Sequence, residues 1–564
     1  MRLAQLDKML MCCLALFTLF HLFALTSGVH CQPAQALLYD DFEKGQSVWF
    51  VLGMGKVTLA KGDSRSGQTA LSFSYAKGIA VAVMPTAPLP GARSVSFWVK
   101  PSSTTVLLSA MQENDGSRYA AAFCVIGGKW QLVQLSVDDF SLMPDTQDEN
   151  GRLDTEQASM LGLADAIMLF QPGGVAQERT ILIDDLLVST SEVAARLRSI
   201  EVDGTKLQLI DDFESTTLFW APVIMAPGRF DLNTSADMSV ELGAARHGNG
   251  ALSIRYELQP NSIPALMTLL TRGIAGARSF IISLKASEPT GIVIALGEND
   301  GSRYQTFVYV PAGDWRDIAI SVDDFQLAED TKDENERLDL NQVQFVVLAD
   351  AGGLFADLIP RLRGKRQLWV DRVALSSAEV TMTQGIAEDK DGLIIWLDNF
   401  ESDAMRWVPL EAMLQPIFNL DIATRVTVRR EEHLPEEAQG RYHLRIDYEV
   451  PANGVIGMAH FVTLARTALL KHASALRMWI RPKEAISLLV VLQERGGGRY
   501  QRQVDLQGGK WQRVDLPLSD FIPSPDTRDE NERLDLDQLL ALALVDMNVF
   551  AGGPVQNTVF IDGV

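Results

Sequence analysis

Trp98 stands between Ser96 and Lys100 at alternate positions, and Arg477, Trp479 and Arg481 repeat that alternation far along the chain. In an extended strand, residues two apart share a face, so each indole has hydrogen-bonding side chains beside it on one surface. The interleaved Val95, Phe97 and Val99, like Leu476, Met478 and Ile480, form the apolar set expected to face a core. An aromatic plane flanked by Lys or Arg suits a sugar ring, whose C–H patches stack on the indole while the cations reach hydroxyls. The alternative reading of these tryptophans is packing under a loop or against a neighbouring domain. Trp130, Trp315 and Trp511 also fall off the core parity, because Val133, Leu135 and Val137, or Ile318, Ile320 and Val322, take the other face. They are either part of the same ligand platform or structural caps at a sheet end. Where the other two copies of this strand carry Trp98 and Trp479, the middle one has Ser283, so it is expected to bind most weakly.

Catalysis is not expected. After removal of an N-terminal leader the first 170 or so positions hold no histidine, and His247, His433, His443, His460 and His472 share no repeat position and no metal-ligand spacing. Glu113 with Asp139 is a carboxylate pair of the kind glycoside hydrolysis uses, but both recur three times with their surroundings, which points to a scaffold role. The run from Asp145 through Asp148 and Asn150 to Asp154 is rich in the oxygen ligands that Ca²⁺ takes. It lacks EF-hand spacing, and Asx-turn chemistry accounts for much of it without metal. With 50 Lys and Arg against 72 Asp and Glu, a net charge of -22 argues against a nucleic-acid partner.

These residues are positioned by a unit written three times. Asp41-Phe42-Glu43 returns as Asp212-Phe213-Glu214 and Asn399-Phe400-Glu401, each with a tryptophan seven residues after the Phe: Trp49, Trp220 and Trp407. Gly67, Leu71 and Tyr75 match Gly248, Leu252 and Tyr256, then Gly440, Leu444 and Tyr448. The block from Lys100 through Glu113, Arg118-Tyr119, Trp130, Asp139-Phe140, Asp145, Asp148 and Arg152-Leu153-Asp154 recurs from Lys285 and from Arg481 without insertion. Each copy closes on a short apolar strand carrying one acid, Asp184, Asp371 or Asp562. Short alternating segments broken by Gly, Asn and Asp clusters predict an all-β fold. The expectation is three tandem jelly-roll β-sandwich domains, over residues 37–190, 208–378 and 393–564, behind a signal peptide over 1–36. Asp154 with Gln157, and their copies, predict a capping-box helix start. The joins lack Pro-rich or Ser-rich runs, which predicts semi-rigid packing of neighbours. The leader's Arg2, Lys8 and apolar run from Met9 to Leu25 imply a secreted, periplasmic or envelope-associated protein, with an uncleaved anchor as the alternative. After cleavage only Cys124 remains, so no intrachain disulfide is expected.

The opening Asp-Phe-Glu, the Trp130-x-x-Val-x-Leu-x-x-x-Asp139-Phe140 stretch, the Arg-Leu-Asp turn and the closing Ile-Asp-Asp resemble galactose-binding-domain-like jelly rolls. Among these, the chain resembles particularly family 11 carbohydrate-binding modules and the related complex I intermediate-associated protein 30-kDa family. It covers each repeat and implies glucan binding on a concave sheet face, which fits Trp98 and Trp479. It also implies a structural Ca²⁺ held by an opening acid and a closing acid: Glu43 with Asp184, Glu214 with Asp371, and Glu401 with Asp562. Such modules usually accompany a catalytic domain, and none is visible in this chain. Two expectations therefore stand: a non-catalytic glycan-binding protein with polysaccharide as partner, or a structural envelope protein whose repeats dock other proteins.

Overall fold

The computed structural model describes residues 35–564 apart from 167–177, 227–228, 271–273, 275, 357–361, 383–384, 390–391, 410–424, 433–439, 452–455, 463–468, 526, 528, 530 and 552–554. The leader, all but its last two residues, and His433 lie outside the described residues.

The alternation read from the sequence becomes antiparallel strands closed by tight turns. At Asn114-Asp115-Gly116 the Gly116 N–H donates to the Glu113 carbonyl, and Ser117 returns the chain along the preceding strand. In the first module the strands run in the order Gln131–Ser136, Ser94–Pro101, Arg179–Ser189, Thr69–Pro85, Ala158–Asp165, Thr105–Glu113, Arg118–Val125, Ser141–Leu142. Phe50–Lys61 lies along Thr69–Pro85, and Ala36–Asp40 along Arg179–Ser189. Thr69–Pro85 belongs to both layers: its first half pairs with Arg179–Ser189 and its second with Ala158–Asp165. In the second and third modules that strand is broken in two, Gly250–Leu258 with Ile263–Leu269 and Tyr442–Val450 with Gly457–Phe461, and the layers separate into distinct sheets. The chain is therefore all-β, with tandem jelly-roll sandwiches whose strand order is non-sequential.

Val95, Phe97, Val99, Val133 and Leu135 are buried, as are Phe280, Ile282, Leu284, Ile318 and Ile320, and Met478 and Ile480. Trp220 and Trp407 are fully buried. Tyr119, Tyr304 and Tyr500 are buried as the parity requires, and each hydroxyl donates to an acid of the following loop, Asp148, Asp333 or Asp529. The glutamate one turn earlier, Glu113, Glu298 or Glu494, is buried and accepts the backbone N–H of Asp154, Asp339 or Asp535. The recurring Glu, Tyr and Asp thus form one clasp that ties the acidic loop to the sheet. The capping box does not form. The element after Asp154 is a three-residue 3₁₀ turn, and the carboxylate turns to the side-chain amides of Asn150 and Gln157 instead of to the helix N–H groups.

The modules touch through one recurring contact. The Leu218 carbonyl accepts the Cys124 N–H, and the Met405 carbonyl accepts the Tyr309 N–H, at matching repeat positions. A buried arginine sits at each junction. Arg196 donates to the Ile210 carbonyl and the Thr268 hydroxyl, with Asp211 at 3.9 Å, while its own N–H goes to Asp139. Arg406 lies 3.5 Å from Asp324 and donates to the Thr306 hydroxyl. Asp139 and Asp324 are the same position of the repeat, as are Asp211 and Asp398.

Burial pushes Asp398 up to about 7, against the Phe400 N–H and Arg406, which pull it down. A carboxyl with a raised folded pKa gives stability that is full below its unfolded value and lost as pH rises through the folded one. The neighbouring His460, held down to about 3 by burial and by Arg406, slopes the other way, but only below its unfolded value of roughly 6.5. Between about pH 6.5 and 8.5, Asp398 acts without opposition from His460, so Asp398→Asn is expected to lose less melting temperature across that window than the unaltered chain. Calorimetry at the two pH values checks it.

Candidate functional site

Three side chains at one repeat position of the closing strand, Leu182, Trp369 and Phe560, lie directly across from Lys100, Lys285 and Arg481. The next residue of that parity on the closing strand is the acid, Asp184, Asp371 or Asp562, which lies opposite Trp98, Ser283 or Trp479. All of these point away from the apolar set, so the predicted face exists in each module as a ladder of aromatic, cationic and acidic side chains.

The closing acid is buried in every module, and in modules one and two a loop that crosses the outer face binds it. Asp184 accepts the backbone N–H groups of Arg65 and Ser66 at 2.7 and 3.0 Å, and Asp371 accepts those of Arg246 and His247 at 2.8 and 2.6 Å. The opening glutamate grips the same loop further on. Glu43 takes the N–H groups of Gln68 and Thr69, Glu214 those of Asn249 and Gly250, and Glu401 those of Arg441 and Tyr442. Each glutamate follows a buried Phe in the left-handed region, φ 58°, 56° and 58°, whose N–H is caught by Asp40, Asp211 or Asp398. A non-glycine residue held there costs on the order of 1–3 kcal/mol, which the buried ring and the clamp offset. In modules one and two the expected opening and closing acids, Glu43 with Asp184 and Glu214 with Asp371, therefore converge on one loop.

The clamped loop sets what covers the aromatic. In module one the Arg65 guanidinium lies 4.3 Å over the Trp98 ring, and Lys100 turns to Asp63 at 2.9 Å. In module two Ser283 replaces the indole and donates to Asp317 at 2.7 Å, and Arg246 bonds the same carboxylate instead of a ring. Burial raises Asp317, but hydrogen bonds from Arg246, Ser283 and His247 overcome it and hold this carboxyl at about 2. Lys285 there lies 5.0 Å over Trp369, whose indole N–H donates to Glu241. In module three Arg481 lies 4.1 Å from the Phe560 ring centre and 5.4 Å from that of Trp511, with His443 edge-on to both rings. Arg477 donates to Asp515, while Trp479 stands half-buried opposite Arg513. Trp130 and Trp315 are half-buried just ahead of the strands Gln131–Ser136 and Arg316–Ser321.

The sequence reading missed Trp369. Module two does not lack an aromatic on this face; the aromatic sits one strand over from Ser283. Aligning the closing strands two residues before the acid, as Leu182, Trp369 and Phe560, would have shown it.

Among the described residues, two groups of acids have the geometry to hold a metal ion: Glu113, Asp115 and Asp148, and Glu298, Asp300 and Asp333, each set offering oxygens within 4.8 Å of one another. In the third copy Gly496 stands where Asp115 and Asp300 do. On the closing strands, Asp371 Oδ1 and both Asp562 oxygens are buried without a hydrogen-bond partner of good geometry among the described residues. Burial raises Asp562 to about 8, with Glu401 and Asp398 adding to the rise.

No protein-family model matches the chain, and no curated protein is similar to it. Among solved structures, the family 11 carbohydrate-binding module of a cellulosomal cellulase of Clostridium thermocellum is similar at 16% identity over 31% of this chain and 96% of that one, with a TM-score of 0.24. A Clostridium thermocellum family 11 module in complex with a β-1,3-1,4-mixed-linked tetrasaccharide gives the same figures. A tandem pair of family 22 modules from a Paenibacillus barcinonensis protein is similar at 15% identity over 61% of this chain and 98% of that one, with a TM-score of 0.22. The jelly-roll assignment stands on the strand order of this chain itself.

Gly67, Gly248 and Gly440 have positive φ, and a Cβ at each would meet the clamping glutamate oxygen at 2.4, 2.1 and 2.2 Å. Gly248→Ala is expected to cost about 1–3 kcal/mol and to lower the melting temperature. Its effect should shrink when Glu214 is also replaced by Ala, and a double-mutant cycle measures that coupling.

Proposed function

We propose that this chain is a non-catalytic, exported glycan-binding protein that takes polysaccharide on the outer sheet face of its modules. The observation that supports the reading is the recurrence of half-buried aromatics beside cations and carboxylates on that one face: Trp98, then Trp369, then Trp479 with Phe560 and Trp511. A ring face gives stacking area, and neighbouring Lys, Arg and Asp give hydroxyl contacts. Tandem modules on a long polymer bind by avidity, so each weak site counts. Retention on a glycan array is expected for the full chain. Trp98→Ala, Trp369→Ala and Trp479→Ala should each weaken it, and the triple substitution should reduce binding by about tenfold or more. Retention unchanged in the triple variant defeats the reading.

A second reading, an envelope assembly protein that binds no sugar, is favoured by one fact: Arg65 already occupies one face of the Trp98 ring. Arg65→Ala separates the two readings. It should strengthen glycan retention if the guanidinium competes with the sugar, and it should leave an assembly protein's partners unchanged.

For the metal, the orphaned oxygens of Asp371 and Asp562 and the acid triads favour Ca²⁺, which takes six to eight oxygen ligands. Calcium is expected to raise the melting temperature and a chelator to lower it, with the shift reduced in Asp371→Asn. No shift with chelator removes calcium from the reading.

A further inference from the structure

The strand Phe50–Lys61 is paired on one side only, to Thr69–Pro85; among the described residues its other edge has no partner. Its outward side chains are apolar and exposed: Val48 at 63%, Phe50 at 43%, Leu52 at 50% and Met54 at 63%. Long apolar strands with a bare edge pair with other chains unless something covers them. In module two the edge is covered, because the longer segment between Phe213 and Gly248 adds the strand Arg229–Leu232 along Ala221–Ala226. The outward face is covered as well. Phe219 and Ala221, the repeat equivalents of Val48 and Phe50, pack with Met267 and Leu269 against Val106, Ala122 and Cys124 of module one. The stripe in module one is thus the same face that joins the modules within the chain.

We propose that this stripe is a docking surface for a second copy of the chain, pairing about a twofold axis with Phe50, Leu52 and Met54 of each protomer in contact. Three observations select that occupant. The face is the repeat equivalent of the one by which module two meets module one. The surface of module three that a head-to-tail contact would need is polar: Ser487, Gln503 and Asp505, the equivalents of Val106, Ala122 and Cys124, hydrogen-bond one another. An apolar strand is complementary to itself, and a twofold contact sets the same patch on both subunits. Charge does not oppose it, since the stripe from Val48 to Met54 holds no charged residue.

Light scattering on the full chain under reducing conditions tests this. A mass twice that of the chain is expected at micromolar concentration. Phe50→Lys with Leu52→Lys should weaken the dimer by about tenfold or more, while Ile522→Lys, equally exposed on module three, should leave it intact. Circular dichroism confirms that the variants are folded. A monomeric full chain overturns the proposal, as does a dimer that survives the double substitution. Capture of a monomer by phosphatidylcholine vesicles through Phe50 and Leu52 overturns it too, in favour of a membrane surface. None of these outcomes depends on glycan retention.

Discussion

A carboxylate set within a closing strand and buried on its outer face must be met by donors, because an unpaired buried acid is costly. In this protein the donors are backbone N–H groups of a loop that crosses the outer sheet face, Arg65 and Ser66 for Asp184, Arg246 and His247 for Asp371. The opening glutamate secures the other end of that loop. From this follow the glycine of the second repeat block, which leaves room for the glutamate, and the position of Arg65 over Trp98. The scaffold and the candidate binding face are one construction, since the loop that satisfies the acid also decides what the aromatic can meet.

The junctions apply the same rule to a cation. A buried arginine is tolerated only where carbonyls, hydroxyls and carboxylates surround it, and both junctions supply them. Arg196 comes from the join and reaches into module two; Arg406 comes from the opening of module three and reaches back into module two. Two different chain positions thus bring a guanidinium to the same pair of repeat acids, Asp139 with Asp211 and Asp324 with Asp398. Semi-rigid packing of neighbours, expected from the lack of Pro-rich or Ser-rich joins, has its physical basis here.

Period-two alternation made the strands and their inner faces legible, so Val95, Phe97 and Val99 were placed without a structure. The three-residue turn at Asp154 was misjudged because Asp with Gln three positions on also suits a helix start, and residue types do not show that the Asp154 carboxylate turns to Asn150 and Gln157 instead. Trp369 escaped because faces were compared on the strand of Trp98 and not on the closing strand beside it. The loop clamp was invisible for a different reason: Glu43 and Asp184 are far apart in sequence, and backbone N–H groups leave no mark in residue type. Sequence could pair the acids only by likeness to other modules, whereas the structure shows what Glu43, Asp184, Glu214, Asp371 and Glu401 grip.

The unbroken strand Thr69–Pro85 has a mechanical corollary. In module one a single run of main chain is shared by both layers, like a bent beam common to two floors, so sliding one layer over the other would have to deform that backbone. Module two replaces the beam with a connection between the shorter strands Gly250–Leu258 and Ile263–Leu269, where displacement can be taken up in the link. Tension applied along the chain would therefore find the N-terminal module stiffer than the one that follows it.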